Sequence, residues 1–252
     1  MWNGLNVALK FFTGLKDDGL HPLKLPSCLL LVFVSLVGAQ SWSDPIQIRL
    51  GPDSNACGII LPKPLKRAPL ILWLHGGMRS QRTTKGWDAE KALLPYLKPG
   101  SYYLCSPSAY AEADWLTPQG LAHVETLLNY MEKHYPVEKN RLIFVGVSDG
   151  CLGAIHYAGE GKRKPFRFIL FSSHPSLAVD PNALLTDPRY TKTRWDLFQG
   201  GRDRLFPSQE VFPLLKDWAG ANPKIKLHLY PEGEHDFSWY AVHAEPEIRA
   251  LF

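Results

Sequence analysis

Short apolar runs alternate along this chain with stretches in which apolar residues recur at every third or fourth position. Runs near 46–50, 57–61, 70–75, 101–105, 141–147, 166–172, 195–199 and 226–230 predict strands. Between them, 86–97, 120–135, 149–158, 209–219 and 246–252 predict helices. The clearest helix is 120–135, where Leu121, Val124, Leu128, Met131 and Tyr135 share one face. Strand and helix alternate throughout, so the expected class is α/β: a mostly parallel central sheet covered on both sides by helices. The first two strands lie close enough for an antiparallel hairpin at the sheet edge, turning through residues 51–55.

One run interrupts itself in an informative way. Leu142 to Val147 reads as a fully buried strand, breaks on Gly146-Val-Ser148-Asp-Gly150, and resumes as a helix of small residues, Cys151, Gly153, Ala154 and Ala158. Strand, sharp turn and helix in that order turn a serine into a nucleophile. The turn holds Ser148 strained with its hydroxyl exposed, and the helix aims its first amides at the same point.

A serine hydroxyl stays a weak nucleophile until a base takes its proton and an acid orients that base. Downstream, the strand beginning at Arg194 runs into Gly200-Gly-Arg-Asp203, and the strand ending at Tyr230 exits through Pro231-Glu-Gly-Glu-His235-Asp-Phe237. Residues just past the carboxyl ends of parallel strands converge on one rim, which selects Asp203 and His235. Asp196 falls inside a strand, Asp180 and Asp187 in a proline-broken loop, and Glu210 and Asp217 on a solvated helix face. His228 is in mid-strand, His243 begins the last helix, and His156 sits two turns past Ser148, where packing is the expected role. Acyl transfer also needs donors for a carbonyl oxygen that becomes an anion. Leu70 to Leu74 leads into His75-Gly76-Gly77-Met78, which offers the amide of Gly77, or of Met78 in the next register; Asp149 supplies the other oxyanion-hole amide. His75 is expected to brace this loop through hydrogen bonds.

Together, His75-Gly-Gly77, Gly146-Val-Ser148-Asp-Gly150, Gly200-Gly-Arg-Asp203 and Gly233-Glu-His235-Asp-Phe237 resemble the α/β-hydrolase superfamily over about residues 45 to 252. Within it the chain is most similar to compact esterases of the phospholipase/carboxylesterase kind and of the secreted depolymerase or feruloyl-esterase kind. In those a helix leads into the nucleophile strand through a segment like Tyr135 to Arg141. Cys151 departs from the second glycine of many relatives and is small enough to fit there. The resemblance implies a serine-dependent hydrolase of carboxylic esters, working through an acyl-enzyme on Ser148, His235 and Asp203 without a cofactor. Its substrates would be small-molecule or polymer-linked esters. Peptidase and thioesterase chemistry use the same machinery, and a non-catalytic binding protein would keep the same sheet; these are the alternatives.

About twenty residues connect the strand ending near Ser172 to the one starting near Arg194, too few for a large lid domain. An open site is therefore expected, with Tyr110, Trp115, Trp239 and Tyr240 as candidate walls. Before the domain, Cys28 to Ala39 is an apolar run ending in small residues, the pattern of an export signal cleaved after Ala39. Residues 1–39 are thus expected to be a leader and 40–252 the catalytic domain of an exported protein with no stable membrane span. An uncleaved anchor is the alternative. Cys57 and Cys105 are candidates to pair in an oxidising compartment, Cys151 reads as a buried small residue, and no Cys/His spacing resembles a metal site. The net charge of +4 and pI near 8.8 are mild. Lys63 to Arg67 and Lys162 to Lys164 are the basic clusters and read as solvated surface, without the aromatics a nucleic-acid partner needs.

Overall fold

The computed structural model describes residues 40–50, 56–77, 81–109, 114–178, 180, 184, 187–190 and 192–252. Residues 1–39, expected to be a leader, residues 51–55, expected to be a turn, and Met78 and Tyr110 lie outside them. A minor sheet pairs β1 (Ser41–Trp42) with β4 (Pro62–Lys63). The main sheet takes β2 (Ile46–Arg49), β3 (Ala56–Ile60), β5 (Ala68–Leu74), β6 (Tyr103–Pro107) and β7 (Val137–Val147). It is completed by β8 (Arg167–Phe171), β9 (Arg194–Gly200) and β10 (Ile225–Tyr230). Their spatial order is β10-β9-β8-β7-β5-β6-β3-β2. β2 with β3 and β3 with β6 are antiparallel, and every other neighbouring pair is parallel.

Period-two alternation assigns the strand residues to two cores. On one side Leu70, Leu72, Leu74, Phe144 and Leu197 pack with the helices α1 (Pro118–His134), α2 (Asp149–Glu160) and α3 (Ser208–Ala221). On the other, Ile71, Trp73, Val145, Ile169, Phe171 and Phe198 meet Tyr240 of α4 (Phe237–His243) and Ile248 of α5 (Glu245–Arg249). Because both faces are covered, the central strands are apolar at consecutive positions. Helix α1 is held at its start by Thr117, whose hydroxyl accepts from the Gly120 amide at 3.1 Å.

Two helix expectations change in form. The 86–97 segment is wound as 3-10 turns at Lys85–Trp87 and Ala89–Tyr96, with Gly86 at the start and Pro95, which lacks an amide, inside the second. The final helix begins earlier, at Phe237, and is split ahead of Pro246 into α4 and α5. Cys57, Cys105 and Cys151 are buried thiols, so Cys57 and Cys105 form no disulfide; Cys57 Sγ lies 3.4 Å from His123 Nε2. Among the described residues no helix is long and apolar enough to cross a membrane.

Candidate active site

Strand β7 ends at Val147, and the next residue, Ser148, turns the chain into α2 with φ 56° and ψ −123°. A non-glycine residue at positive φ costs about 1–3 kcal/mol, which the surrounding contacts must offset. Here they are backbone contacts: the Ser148 amide donates to Phe171 O of β8 at 2.9 Å. A Cβ at Gly146 would come within 2.7 Å of Gly150 O, so the turn closes this tightly only with glycine there. The hydroxyl is left facing the rim of the sheet.

At that rim the three side chains chosen from sequence meet. Ser148 Oγ lies 2.7 Å from His235 Nε2, and His235 Nδ1 is 2.9 Å from both carboxylate oxygens of Asp203. With the imidazole neutral, Nδ1–H donates to the carboxylate and Nε2 is left to accept the serine proton. Asp203 also accepts from the amides of Leu205 and Phe206, each at 2.9 Å, and from Gln199 Nε2 at 3.0 Å. Burial pushes its carboxyl upward, but the bonds from His235 and from those amides outweigh it and hold the group below the ordinary aspartate range. Asp203 is therefore an anion with donors on both carboxylate oxygens.

The loop carrying His235 is anchored from beneath by a residue without a sequence signal. Ser172, at the end of β8 with φ 57°, donates from Oγ to His235 O at 2.8 Å and lies 3.0 Å from Tyr240 Oη. The Arg202 amide donates to Gly233 O at 2.8 Å, tying the acid loop to the histidine loop. Edge-on against the imidazole, the Phe206 ring sits 5.2 Å away.

The oxyanion side departs from expectation. The Gly77 amide, expected to face a developing oxyanion, donates instead to Asp149 Oδ1 at 2.5 Å. Gly77 has φ 96°, and that conformation turns its N–H toward the start of α2, where the Asp149 carboxylate competes for it. Lys85 Nζ, from the 3-10 turn, donates to Gly76 O and, at 3.3 Å, to Gly77 O. The Gly76–Gly77 peptide is thus gripped on both edges, its oxygen by an ammonium and its N–H by a carboxylate. Burial raises the Asp149 carboxyl to about 6, against the pull of the Gly77 amide and Lys85. The Asp149 amide stands at the N-terminus of α2, as expected, beside Ser148. His75 braces the loop: Nδ1 donates to Gly76 O at 3.0 Å and Nε2 accepts from the Ala109 amide at 3.0 Å. That arrangement requires a neutral ring, and burial lowers its pKa to about 4.

A cavity of about 660 Å³ opens beside Ser148 and His235. Val147, Leu205, Phe206 and Phe237 form its apolar wall, while Lys85 and Ser238 supply polar edges. Of the aromatic walls expected from sequence, Trp115 is instead 2% exposed, donates from Nε1 to His75 O at 3.0 Å and packs on Gly153. The helix is glycine at that point, so the indole fits into the core. Tyr240 is buried in the opposite core, and Trp239 stacks on His243 at 4.2 Å, away from the cavity. Lys85, Leu205 and Phe206 also line the cavity; the sequence signals the last two only by their place two and three residues past Asp203, and Lys85 not at all.

No family model and no curated protein matches the sequence. Solved structures do match the fold. The fluorophosphonate-binding serine hydrolase F of Staphylococcus aureus is 14% identical with a TM-score of 0.61, over 85% of this chain and 99% of its own. S-formylglutathione hydrolase of Staphylococcus aureus gives 16% identity and a TM-score of 0.59, covering 84% of this chain and 96% of the other. Est1E of Butyrivibrio proteoclasticus gives 15% and 0.58, covering 83% and 97%. Sheet order, strained serine turn and these superpositions agree on one conclusion: this protein has the α/β-hydrolase fold.

Proposed function

We propose that this chain is a serine-dependent hydrolase of carboxylic esters. The observation that supports this most directly is the hydrogen-bonded line from Ser148 Oγ through His235 to the buried Asp203 anion. In this reading Ser148 Oγ bonds to the acyl carbon while His235 Nε2 takes its proton, and Asp203 stabilises the imidazolium. The Asp149 amide donates to the oxyanion at the end of α2, where the helix dipole adds to its pull. His235 then returns the proton to the leaving alkoxide, and water repeats the two steps to release the acid. The apolar wall of Val147, Leu205, Phe206 and Phe237 suits an acyl or aryl group. Esterases and serine hydrolases among the matched folds lend support, and the apolar run Cys28 to Ala39 adds the proposal that the enzyme is exported.

Hydrolysis of a p-nitrophenyl short-chain ester and covalent labelling by a fluorophosphonate test this reading. Both should vanish in Ser148→Ala while thermal unfolding is nearly unchanged. Turnover retained by that variant, or absent from the unmodified protein, overturns it.

A further inference from the structure

At the opposite end of the sheet, beside the N-terminal ends of β7, β8 and β9, lies a second groove of about 680 Å³. Three distant segments bring cations to it: Lys139 in β7, Lys162, Arg163 and Lys164 between α2 and β8, and Lys192 before β9. Among the described residues Glu132 of α1 is the one carboxylate lining it. This excess of four positive charges equals the net charge of the whole chain, so the remainder of the molecule is balanced. Like charges gathered in one concavity repel one another, and an anionic occupant relieves that repulsion.

The charges are not used up internally. Arg163 is, since its guanidinium donates to Glu125, to Glu132 Oε1 at 2.6 Å and to Asn129 Oδ1 at 2.6 Å. Lys139 shares Glu132 at 3.4 Å. Among the described residues the ammonium groups of Lys162, Lys164 and Lys192 make no ion pair, and all three side chains are exposed. Nearby carboxylates have arginine partners of their own, Glu138 with Arg141 and Asp187 with Arg189, although Asp187 also feels the charge of Lys164 without pairing to it.

We infer that this groove docks an acidic polysaccharide, a chain of sugars bearing carboxylates. Strongly hydrated lysine point charges suit a solvated carboxylate polymer, and Arg163, the arginine lining the groove, is committed and offers no fork for bidentate phosphate recognition. Single-stranded nucleic acid also wants an open aromatic face, and the Phe166 ring in the groove is covered by the Arg194 guanidinium at 5.5 Å. A membrane surface wants apolar side chains to insert, and none of the exposed large hydrophobic residues, Leu65, Leu116, Leu177, Leu205 and Val242, lines the groove. The Asn140 amide at the groove carries donors and an acceptor that match sugar hydroxyls. Docking here leaves the Ser148 rim open and is independent of the ester-hydrolase reading.

The test is equilibrium binding of the Ser148→Ala protein to sodium polygalacturonate at 50 and 200 mM salt, with neutral dextran, duplex DNA and phosphatidylglycerol vesicles as comparators. Expected are binding to polygalacturonate tighter than to DNA or vesicles at equal anion concentration, weakening at the higher salt, and none to dextran. Lys162→Glu/Lys164→Glu/Lys192→Glu should weaken it at least about tenfold with unchanged thermal unfolding. Lys63→Glu/Lys66→Glu/Arg67→Glu, with the same change in net charge, should leave it nearly intact. No binding at 50 mM, preference for DNA or vesicles, or equal loss in the two triple variants overturns the assignment.

Discussion

The two ends of the central sheet carry polar groups on opposite terms. At the carboxyl end, Asp203 accepts from a ring nitrogen, two amides and a glutamine, and His235 sits between it and Ser148 with both nitrogens engaged. At the amino end, three exposed lysines make no ion pair among the described residues. Satisfied hydrogen bonds fix geometry, which bond-making chemistry requires. Unsatisfied charges fix no geometry but set a field, and a field is sufficient for holding a flexible polymer. One end of the molecule is therefore built for position and the other for capture.

The largest effects should come from the ordered end. Ser148→Ala should lower turnover of a short-chain ester by at least about 10⁴-fold, read as kcat, with polygalacturonate binding unchanged. Asp203→Asn should lower kcat by about 10³- to 10⁴-fold, because the amide cannot stabilise an imidazolium and turns an N–H toward donors that now point at an anion. If either variant also lost polymer binding, the two ends would not be the separate devices described here.

Intermediate effects concern stability. The Asp149 carboxyl is raised from 3.8 to about 6, so the native state resists its ionisation. Stability tied to this group is present at low pH and is lost as pH climbs from about 4 to 6, a cost of about 3 kcal/mol at neutral pH. Asp149→Asn keeps an acceptor for Gly77 without the buried charge, so it should raise the melting temperature at pH 7.5 and lose that advantage near pH 4. His75 and His123 act in the reverse sense. Burial lowers each to about 4, so their contribution is complete above about 6.5 and disappears as pH falls toward 4. Calorimetry of Asp149→Asn across this range checks both signs. A variant no more stable than the parent at pH 7.5 would mean that the carboxylate is better solvated than its surroundings indicate.

The smallest effect is at the charged end. Lys192→Ala alone should weaken polygalacturonate binding only by about two- to threefold and leave ester turnover unchanged, since one exposed charge among several contributes little. A larger change would show that the groove depends on one specific contact.

Much of the ordered end was legible beforehand, and the reasons are local. A nucleophile turn is written in consecutive residues, Gly146 to Gly150, because its strain is a property of adjacent peptides. Asp203 and His235 could be selected because each follows a strand of a parallel sheet. Helix α1 announced itself through spacing and through Thr117 at its cap. Where the reading departed, a distant partner decided. Trp115 is a core plug because Gly153 makes room for it, and the Gly77 amide is diverted because Asp149 sits opposite. Ser172 gave no warning, since its task is to hold a carbonyl contributed by His235, far along the chain.

Periodicity and turn chemistry are short-range, so the order of residues alone settled the alternating architecture, the strained serine and the identity of its two partners. Which amides stay available, which aromatics are buried and how charges group are long-range outcomes of folding. Lys139, Lys162 and Lys192 are ordinary surface residues along the chain and become one electrostatic feature only because β7, β8 and β9 start at the same edge.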